Sequence, residues 1–223
     1  AGAHVNAVQK NPATFEHIKP EDVGNERHIL ISELSGGSNI KMKAAELGVD
    51  VTRMDKAQVQ AVLAAVKEKE TQGYSYESAD GSFKILLHKV LDQHKPFFEL
   101  EGFRCIVEKR GPDEPCLSEA TIKLKVKGES ALTAGEGDGP VDALNQALRK
   151  ALVRFYPEIA SVTLSDYRVR ILDPKSATSA VTRVQIESGD GEKVWGTVGV
   201  SENIIEASWQ ALLDSVEVKL YDS

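Results

Sequence analysis

Two stretches of this 223-residue chain follow one plan, and any fold proposed for it must accommodate both. Gly135-Glu136-Gly137-Asp138-Gly139-Pro140-Val141-Asp142-Ala143-Leu144-Asn145-Gln146-Ala147-Leu148 recurs 64 positions later as Gly199-Val200-Ser201-Glu202-Asn203-Ile204-Ile205-Glu206-Ala207-Ser208-Trp209-Gln210-Ala211-Leu212. Gly135 pairs with Gly199, Asp138 with Glu202, Val141 with Ile205, Ala143 with Ala207, Ala147 with Ala211 and Leu148 with Leu212. Each stretch reads as a glycine-bearing loop that opens a helix. Pro140 suits a first helical position, where a missing N–H costs nothing, and Ser201 or Asn203 can accept a bond from a free N–H.

Upstream of each stretch the pattern has period two. Ala120, Ile122, Leu124 and Val126 alternate with Lys123, Lys125 and Lys127, and Ala180, Thr182, Val184 and Ile186 alternate with Arg183, Gln185 and Glu187. Before these, Phe103, Cys105 and Val107 alternate with Arg104 and Glu108, and Tyr167, Val169 and Ile171 with Arg168 and Arg170. Such alternation marks strands with one wet face. The prediction is strand, strand, strand, helix, twice over, in residues 97–156 and 160–220, joined at Pro157-Glu158-Ile159. The first copy is expected to have the longer connection between its opening strands, Arg110 to Pro115, and the second the longer hairpin, Ser188 to Lys193. Sheets bared on one side and covered by helices on the other give a two-layer α+β sandwich. Faces and edges left over invite dimerisation.

Before Pro96 the periodicity is helical. Ile40, Ala44, Ala45 and Leu47 stop at Gly48; Asp55 opens a helix carrying Val59, Val62, Leu63 and Val66 that should end near Gly73; Phe83, Leu86, Leu87, Val90 and Leu91 form a third. Ser35-Gly36-Gly37-Ser38-Asn39 reads as a polar loop, and His28 to Ser32 as a short β-branched run. Residues 1–27, with Pro12, Pro20 and Gly24, read as an extended connector with at most a helical turn at Lys19 to Val23. The expected organisation is a connector at 1–27, a helical subdomain at 28–95 whose core is too small to stand without a packing partner, and the doubled unit at 96–223. The chain opens at Ala1 without an initiator Met, as a fragment of something longer would.

A formal net charge of -7 argues against a binder of nucleic-acid phosphates, which needs clustered Lys and Arg. No run approaches the ~18 apolar residues of a membrane span and no apolar signal core is present, so a cytoplasmic protein is expected. Cys105 and Cys116 are too few for a disulfide scaffold, and a hairpin turning at Gly111-Pro112-Asp113 places Cys105 opposite about Thr121, so both are expected as free thiols. No Cys or His pair has zinc-ligand spacing, and no metal site is predicted.

The loop from Gly135 to Gly139 precedes helical N–H groups without intrahelical partners, which can hold a carboxylate or phosphate. Equally, glycine there can simply let a strand turn into a helix. Asp138, Asp142 and Asp166 can supply charge for an ammonium group, or can serve the helix dipole. A carboxylate receptor beside acids would suit an amino acid. His4, His17 and His28 lie in loops where a histidine either carries protons or faces solvent. Ser35 to Asn39 lacks the lysine of a phosphate loop, and Trp195 and Trp209 are expected in the core of the second copy.

Several ordered motifs carry a resemblance. His4-Val5-Asn6-Ala7-Val8, Thr14-Phe15-Glu16-His17-Ile18, Pro20-Glu21, Val23-Gly24-Asn25 and Ser32-Glu33-Leu34-Ser35-Gly36-Gly37-Ser38-Asn39 are similar to the region after the catalytic barrel in the 2-isopropylmalate, homocitrate and citramalate synthase family. Gly137 to Leu144 and Trp195 to Ser208 resemble that family's C-terminal regulatory domain, nearest its citramalate synthase branch. The resemblance implies an acetyl-CoA-dependent enzyme that condenses an acetyl carbanion with a metal-bound 2-oxo acid, pyruvate in this branch. The divalent metal and catalytic carboxylate belong to a barrel that these residues do not include, so the fragment alone should be inactive and need no cofactor. His4 matches a histidine that the connecting region lends to a partner's active site, whereas Phe15 stands where a tyrosine often does. The resemblance also implies a homodimer that binds a branched-chain amino acid, isoleucine before leucine, as feedback inhibitor. Its effector residues carry over to Gly137, Gly139, Val141 and Ala143 in the first copy and Tyr167, Thr178, Ala180 and Ile204 in the second.

Overall fold

A computed structural model describes residues 37–51, 54–172 and 180–223. The connector, the turn at Lys19 to Val23 and the run from His28 to Ser32 lie outside the described residues. The chain divides into two compact units between Gln93 and His94.

The first unit holds three helices, α1 (Gly37–Glu46), α2 (Lys56–Thr71) and α3 (Asp80–Val90). Helix α2 starts where Asp55 predicts: its carboxylate accepts the Gln58 N–H at 2.7 Å, and the Gln58 side chain accepts the Asp55 N–H at 3.1 Å, a reciprocal capping box. Its apolar face is Val59, Val62 and Val66, all buried. It stops at Thr71, with Gly73 in the left-handed region at φ 105°. Helix α1 departs from expectation, because Gly37, Ser38 and Asn39 are helical rather than loop. The cause is tertiary: a Cβ on Gly37 would sit 2.9 Å from Val59 Cγ1, so the first turn of α1 packs onto α2 through the missing side chain. Lys43 fills the place on α1 where the pattern put Ala45. Its buried ammonium lies 2.7 Å from Asp80 and 3.1 Å from Glu46. Burial alone would lower its pKa, but the hydrogen bonds and charges of those two carboxylates outweigh it and raise the pKa.

The second unit is the doubled one. Strands β1 (Phe98–Glu108), β2 (Leu117–Val126) and β3 (Glu129–Gly137) lead to α4 (Pro140–Leu152). After a 3-10 turn at Pro157–Ser161 come β4 (Thr163–Ile171), β5 (Thr182–Gly189), β6 (Val194–Ser201) and α5 (Ile204–Asp222). Each copy is a three-stranded antiparallel sheet in sequence order with one helix.

The two copies coincide in register as well as in order. Phe103 faces Ile122 in the first and Tyr167 faces Ile186 in the second; Ile122 faces Thr133 and Ile186 faces Thr197. Even the irregularity of the opening strand repeats, between Leu100 and Gly102 and between Leu164 and Asp166. That register settles the hairpin too: Cys105 pairs with Ala120, one residue from the expected Thr121, and both cysteines are free.

Alternation places Ala120, Ile122, Leu124 and Val126 under α4, whose Ala143, Leu144, Ala147, Leu148 and Ala151 complete the layer. Each fully buried Leu or Ile stabilises by roughly 1.5–3 kcal/mol. One core runs through both copies, since Val184, Ile186, Ala207, Trp209 and Leu212 belong to it. Trp209 is therefore not confined to the second copy: its ring lies 5.6 Å from that of Phe103 in the first. The loop lengths differ from expectation in one place. The second copy, not the first, has the longer link between opening strands, residues 172–181 against 109–116, while its longer β5–β6 hairpin is as predicted.

Candidate functional site

The first strand–helix junction carries Gly135, Gly137 and Gly139 and the second carries Gly199, and their geometry separates packing glycines from an open one. Gly135 and Gly137 are not loop residues but the end of β3. A Cβ on Gly135 would fall 2.6 Å from Ala143 O and Ala147 N, and one on Gly137 2.5 Å from Ala143 N and Asp142 Oδ2. Both let β3 lie directly against α4, a packing role rather than the strand-to-helix turn expected of them. Gly199 does the same in the second copy, where a Cβ would be 1.9 Å from Ala207 O. Gly139 differs. It is the N-cap of α4, extended at φ -153°, and a Cβ there would meet nothing within 4 Å.

The starts of the two helices contrast. No side chain caps α4: Gly139 has none to offer and Pro140 follows at once. Nearby, the Asp138 N–H donates to Asp142 Oδ2 at 3.2 Å, and Asp142 Oδ1 accepts from Gln146 at 3.4 Å. Helix α5 is capped by Asn203, whose Oδ1 accepts from the N–H groups of Ile205 at 2.8 Å and Glu206 at 3.4 Å. Ser201 Oγ accepts the Asn203 N–H at 3.1 Å, so both side chains expected as acceptors act as such.

A polar pair marks the second junction. The Tyr167 hydroxyl is 2.9 Å from Ser208 Oγ, and Ser208 donates its proton to Ile204 O at 2.7 Å, so Tyr167 must be the donor to Ser208. The first copy has Phe103 and Leu144 at these two places and can form no such bond.

The candidate residues therefore fall into two groups. Gly137, Gly139, Val141 and Ala143 share the β3–α4 junction; Ala143 is fully buried beneath the glycines and Val141 packs partly into the core. Tyr167 and the exposed Ile204 meet through Ser208 at the β6–α5 junction. Ala180 is buried in the link before β5. Thr178 and His4 lie outside the described residues. A cleft of about 530 Å³ borders the first junction, lined by Arg110, Leu117, Glu136, Gly137 and Asp138 among others. The Arg110 guanidinium there is paired with Glu108 at 3.0 Å, and that partner raises its pKa. Cys105 sits beside the junction with Sγ 3.9 Å from Pro140 O, and burial pushes its thiol pKa up.

Sequence reasoning passed over Ser208 and two pairs that the 64-residue spacing could have revealed. Thr133 donates to Ala147 O at 2.7 Å and Thr197 to Ala211 O at 2.8 Å, the same strand-to-helix bond in each copy. Gln146 and Gln210 each reach back one turn to an acid, Asp142 and Glu206, both at 3.4 Å. Gln210 also accepts the Val200 N–H at 3.0 Å, and Lys150 donates to Ala134 O at 3.1 Å, so helix side chains cover the open edges of β6 and β3. Among the described residues no group of three or more His, Cys, Asp or Glu could hold a metal, and no helix is long and apolar enough to cross a membrane.

Comparison with known proteins gives this arrangement its relatives. Residues 1–73 match the homocitrate synthase post-HMGL domain-like family. The chain is 52% identical over 222 residues to the (R)-citramalate synthase of Geobacter sulfurreducens, covering 100% of this chain and 42% of that protein. It is 48% identical to the (R)-citramalate synthase of Synechocystis sp., covering 98% and 40%, and 39% identical to that of Sulfolobus acidocaldarius, covering 99% and 40%. The chain thus spans about two fifths of the length of these curated relatives. Residues 77–220, most of the chain and all of the doubled unit's strands, match the LeuA allosteric (dimerisation) domain, and the chain belongs to that family.

Proposed function

We propose that the chain is the feedback-regulatory and dimerising region of a citramalate-synthase-like enzyme, acetyl-CoA-dependent and acting on a 2-oxo acid, and that it senses a branched-chain amino acid, isoleucine before leucine. The observation that carries the reading is the unequal pair of helix starts in a domain of this family. In α5 a side chain occupies the first N–H groups; in α4 they have none, and the residue in front of them, Gly139, leaves open space. Partial positive charge at a helix start suits a carboxylate. Asp138 and Asp142 stand beside it for the ammonium group, and apolar side chains such as Val141 and Ile204 would face the aliphatic part. His4 would serve the catalytic barrel of the whole enzyme, which would also hold its divalent metal.

Dimerisation has its own support. Each helix covers the second and third strands of its sheet, and the inward-facing row of the first strand is left partly bare: Leu100 and Val107 in β1, Tyr167, Val169 and Ile171 in β4. Bare apolar rows of this kind are what a second copy would cover.

Calorimetric titration of the chain with isoleucine and with leucine tests the proposal. Saturable binding of isoleucine, tighter than leucine, is expected; one misplaced methyl is worth only ~1–3 kcal/mol, so leucine should bind more weakly rather than not at all. A folded dimer that takes up neither at millimolar concentration would rule out sensing. A purely structural dimerisation domain is the second reading, favoured by the packing role of Gly135, Gly137 and Gly199. It expects Gly139→Val to change no ligand response because there is none.

A further inference from the structure

The chain passes from its helical unit into the doubled unit through His94-Lys95-Pro96-Phe97, and every non-proline residue of that segment is held by the far end of one copy or the other. His94 Nε2 lies 3.3 and 3.2 Å from the two carboxylate oxygens of Glu217. The Lys95 N–H donates to the Tyr221 hydroxyl at 2.7 Å. The Tyr156 hydroxyl donates to Phe97 O at 2.9 Å, and the Phe97 ring stands edge-on between Tyr156, at 6.1 Å, and Tyr221, at 5.1 Å. Phe98, the next residue, is already in the core.

Two features make this a clamp rather than a chance set of contacts. Glu217 is 4% exposed, and a carboxylate that deep is costly unless paired, so its place depends on His94 being docked. The grips also come from both copies: Tyr156 lies just past the end of α4, and Glu217 and Tyr221 lie in the last two turns of α5. Those are the two helices whose opposite ends form the junctions. From Ile204 to Tyr221, α5 is one unbroken helix that spans about 25 Å at the helical rise.

We propose that this clamp is the output of the sensing domain: the displacement or stiffening that an effector produces at the starts of α4 and α5 is passed by the two helices to Tyr156, Glu217 and Tyr221, and so to residues 94–97. The inference rests on the effector reading above and adds where the signal leaves. Energetic coupling needs a physically connected element whose state both ends bias, and the docked segment, with His94 held against the buried Glu217 carboxylate, is such an element. Residues of the clamp are positioning residues; none needs to touch the amino acid.

The test uses the full-length enzyme containing this chain, in wild-type form and as Glu217→Gln and Tyr221→Phe. Calorimetry with isoleucine reads binding, and the rate at saturating isoleucine relative to none reads inhibition. Expected is binding within about threefold of wild type, with inhibition at saturation reduced by at least half in Glu217→Gln and by less in Tyr221→Phe, which removes one oxygen and keeps the ring contacts. Variants that bind and are inhibited like the wild type overturn the proposal. Variants that lose binding and inhibition together also overturn it, because the clamp is then only part of the scaffold. A wild-type enzyme that neither binds isoleucine nor responds to it removes the sensing reading itself, a result distinct from both.

Discussion

The two βββα copies share a backbone frame down to the irregularity in their first strands, yet their helices begin differently. In both, a glycine on the third strand meets the carbonyl of an alanine one turn into the helix, and a threonine two residues earlier bonds the helix four residues further on. These shared contacts hold strand to helix. What differs is what remains free: Asn203 closes the start of α5, Gly139 leaves the start of α4 open, and Tyr167 with Ser208 puts a polar pair where the first copy has Phe103 and Leu144. Repetition explains the scaffold, and the departures from it are where function is to be sought.

The comparison can be broken most severely at its glycines. Gly199→Ala should destabilise by ~3 kcal/mol or more and Gly135→Ala by ~1–3 kcal/mol, since the new methyl would collide at 1.9 Å in one and 2.6 Å in the other; Gly139→Ala should change stability by less than ~0.5 kcal/mol. Urea denaturation of the three variants ranks them, and equal effects at 139 and 199 would show that the two classes of glycine are not distinct. Thr197→Val and Thr133→Val come next, each losing ~1 kcal/mol, with the greater loss at fully buried Thr197.

Exchanging the caps sharpens the contrast between the helix starts. Asn203→Ala should cost ~1 kcal/mol, whereas Gly139→Asn should cost nothing or stabilise by a few tenths, measured as thermal midpoints. Under the sensing proposal Gly139→Asn should also weaken isoleucine binding, because its side chain would compete for the same N–H groups.

The smallest effect concerns acid. Asp190, in the β5–β6 hairpin, accepts hydrogen bonds from Lys219 at 2.7 Å and from the N–H groups of Lys193 and Glu192, and these hold its carboxyl well below the usual carboxylate range. A depressed folded-state pKa gives stability that is present above the ordinary carboxylate pKa and lost as pH falls below it. Asp190→Asn should therefore flatten part of the acid limb of the stability–pH curve below about pH 4 and leave its slope near neutrality unchanged.

Much of this architecture is legible in the sequence because period-two alternation and a repeated glycine–alanine pattern are local signals. Ile122, Leu124, Val184 and Ile186 point inward as their spacing requires. The helical start of α1 was hidden because Gly37 is explained only by Val59 on another helix. The alternation read from Ala180 begins two residues before β5 does, so the sequence makes the link after β4 shorter than it is. Ser208 and Glu217 escaped notice for a related reason: their partners, Tyr167 and His94, lie 41 and 123 residues away, and only the register of β4 against its sheet and the length of α5 bring them together. Carry-over from the family's pattern named Gly139 and Ile204, but it could not separate Gly139 from the packing glycines beside it.

On the proposed function, the open start of α4 and the Tyr167–Ile204 corner receive an amino acid. Titrating isoleucine into the isotope-labelled chain and following backbone amide resonances tests it most directly. Saturable shifts concentrated at Asp138 to Ala143 and around Tyr167 and Ile204, absent with glycine as ligand, are predicted. Spectra that stay unchanged to millimolar isoleucine, or that change only at residues remote from both junctions, would contradict the account.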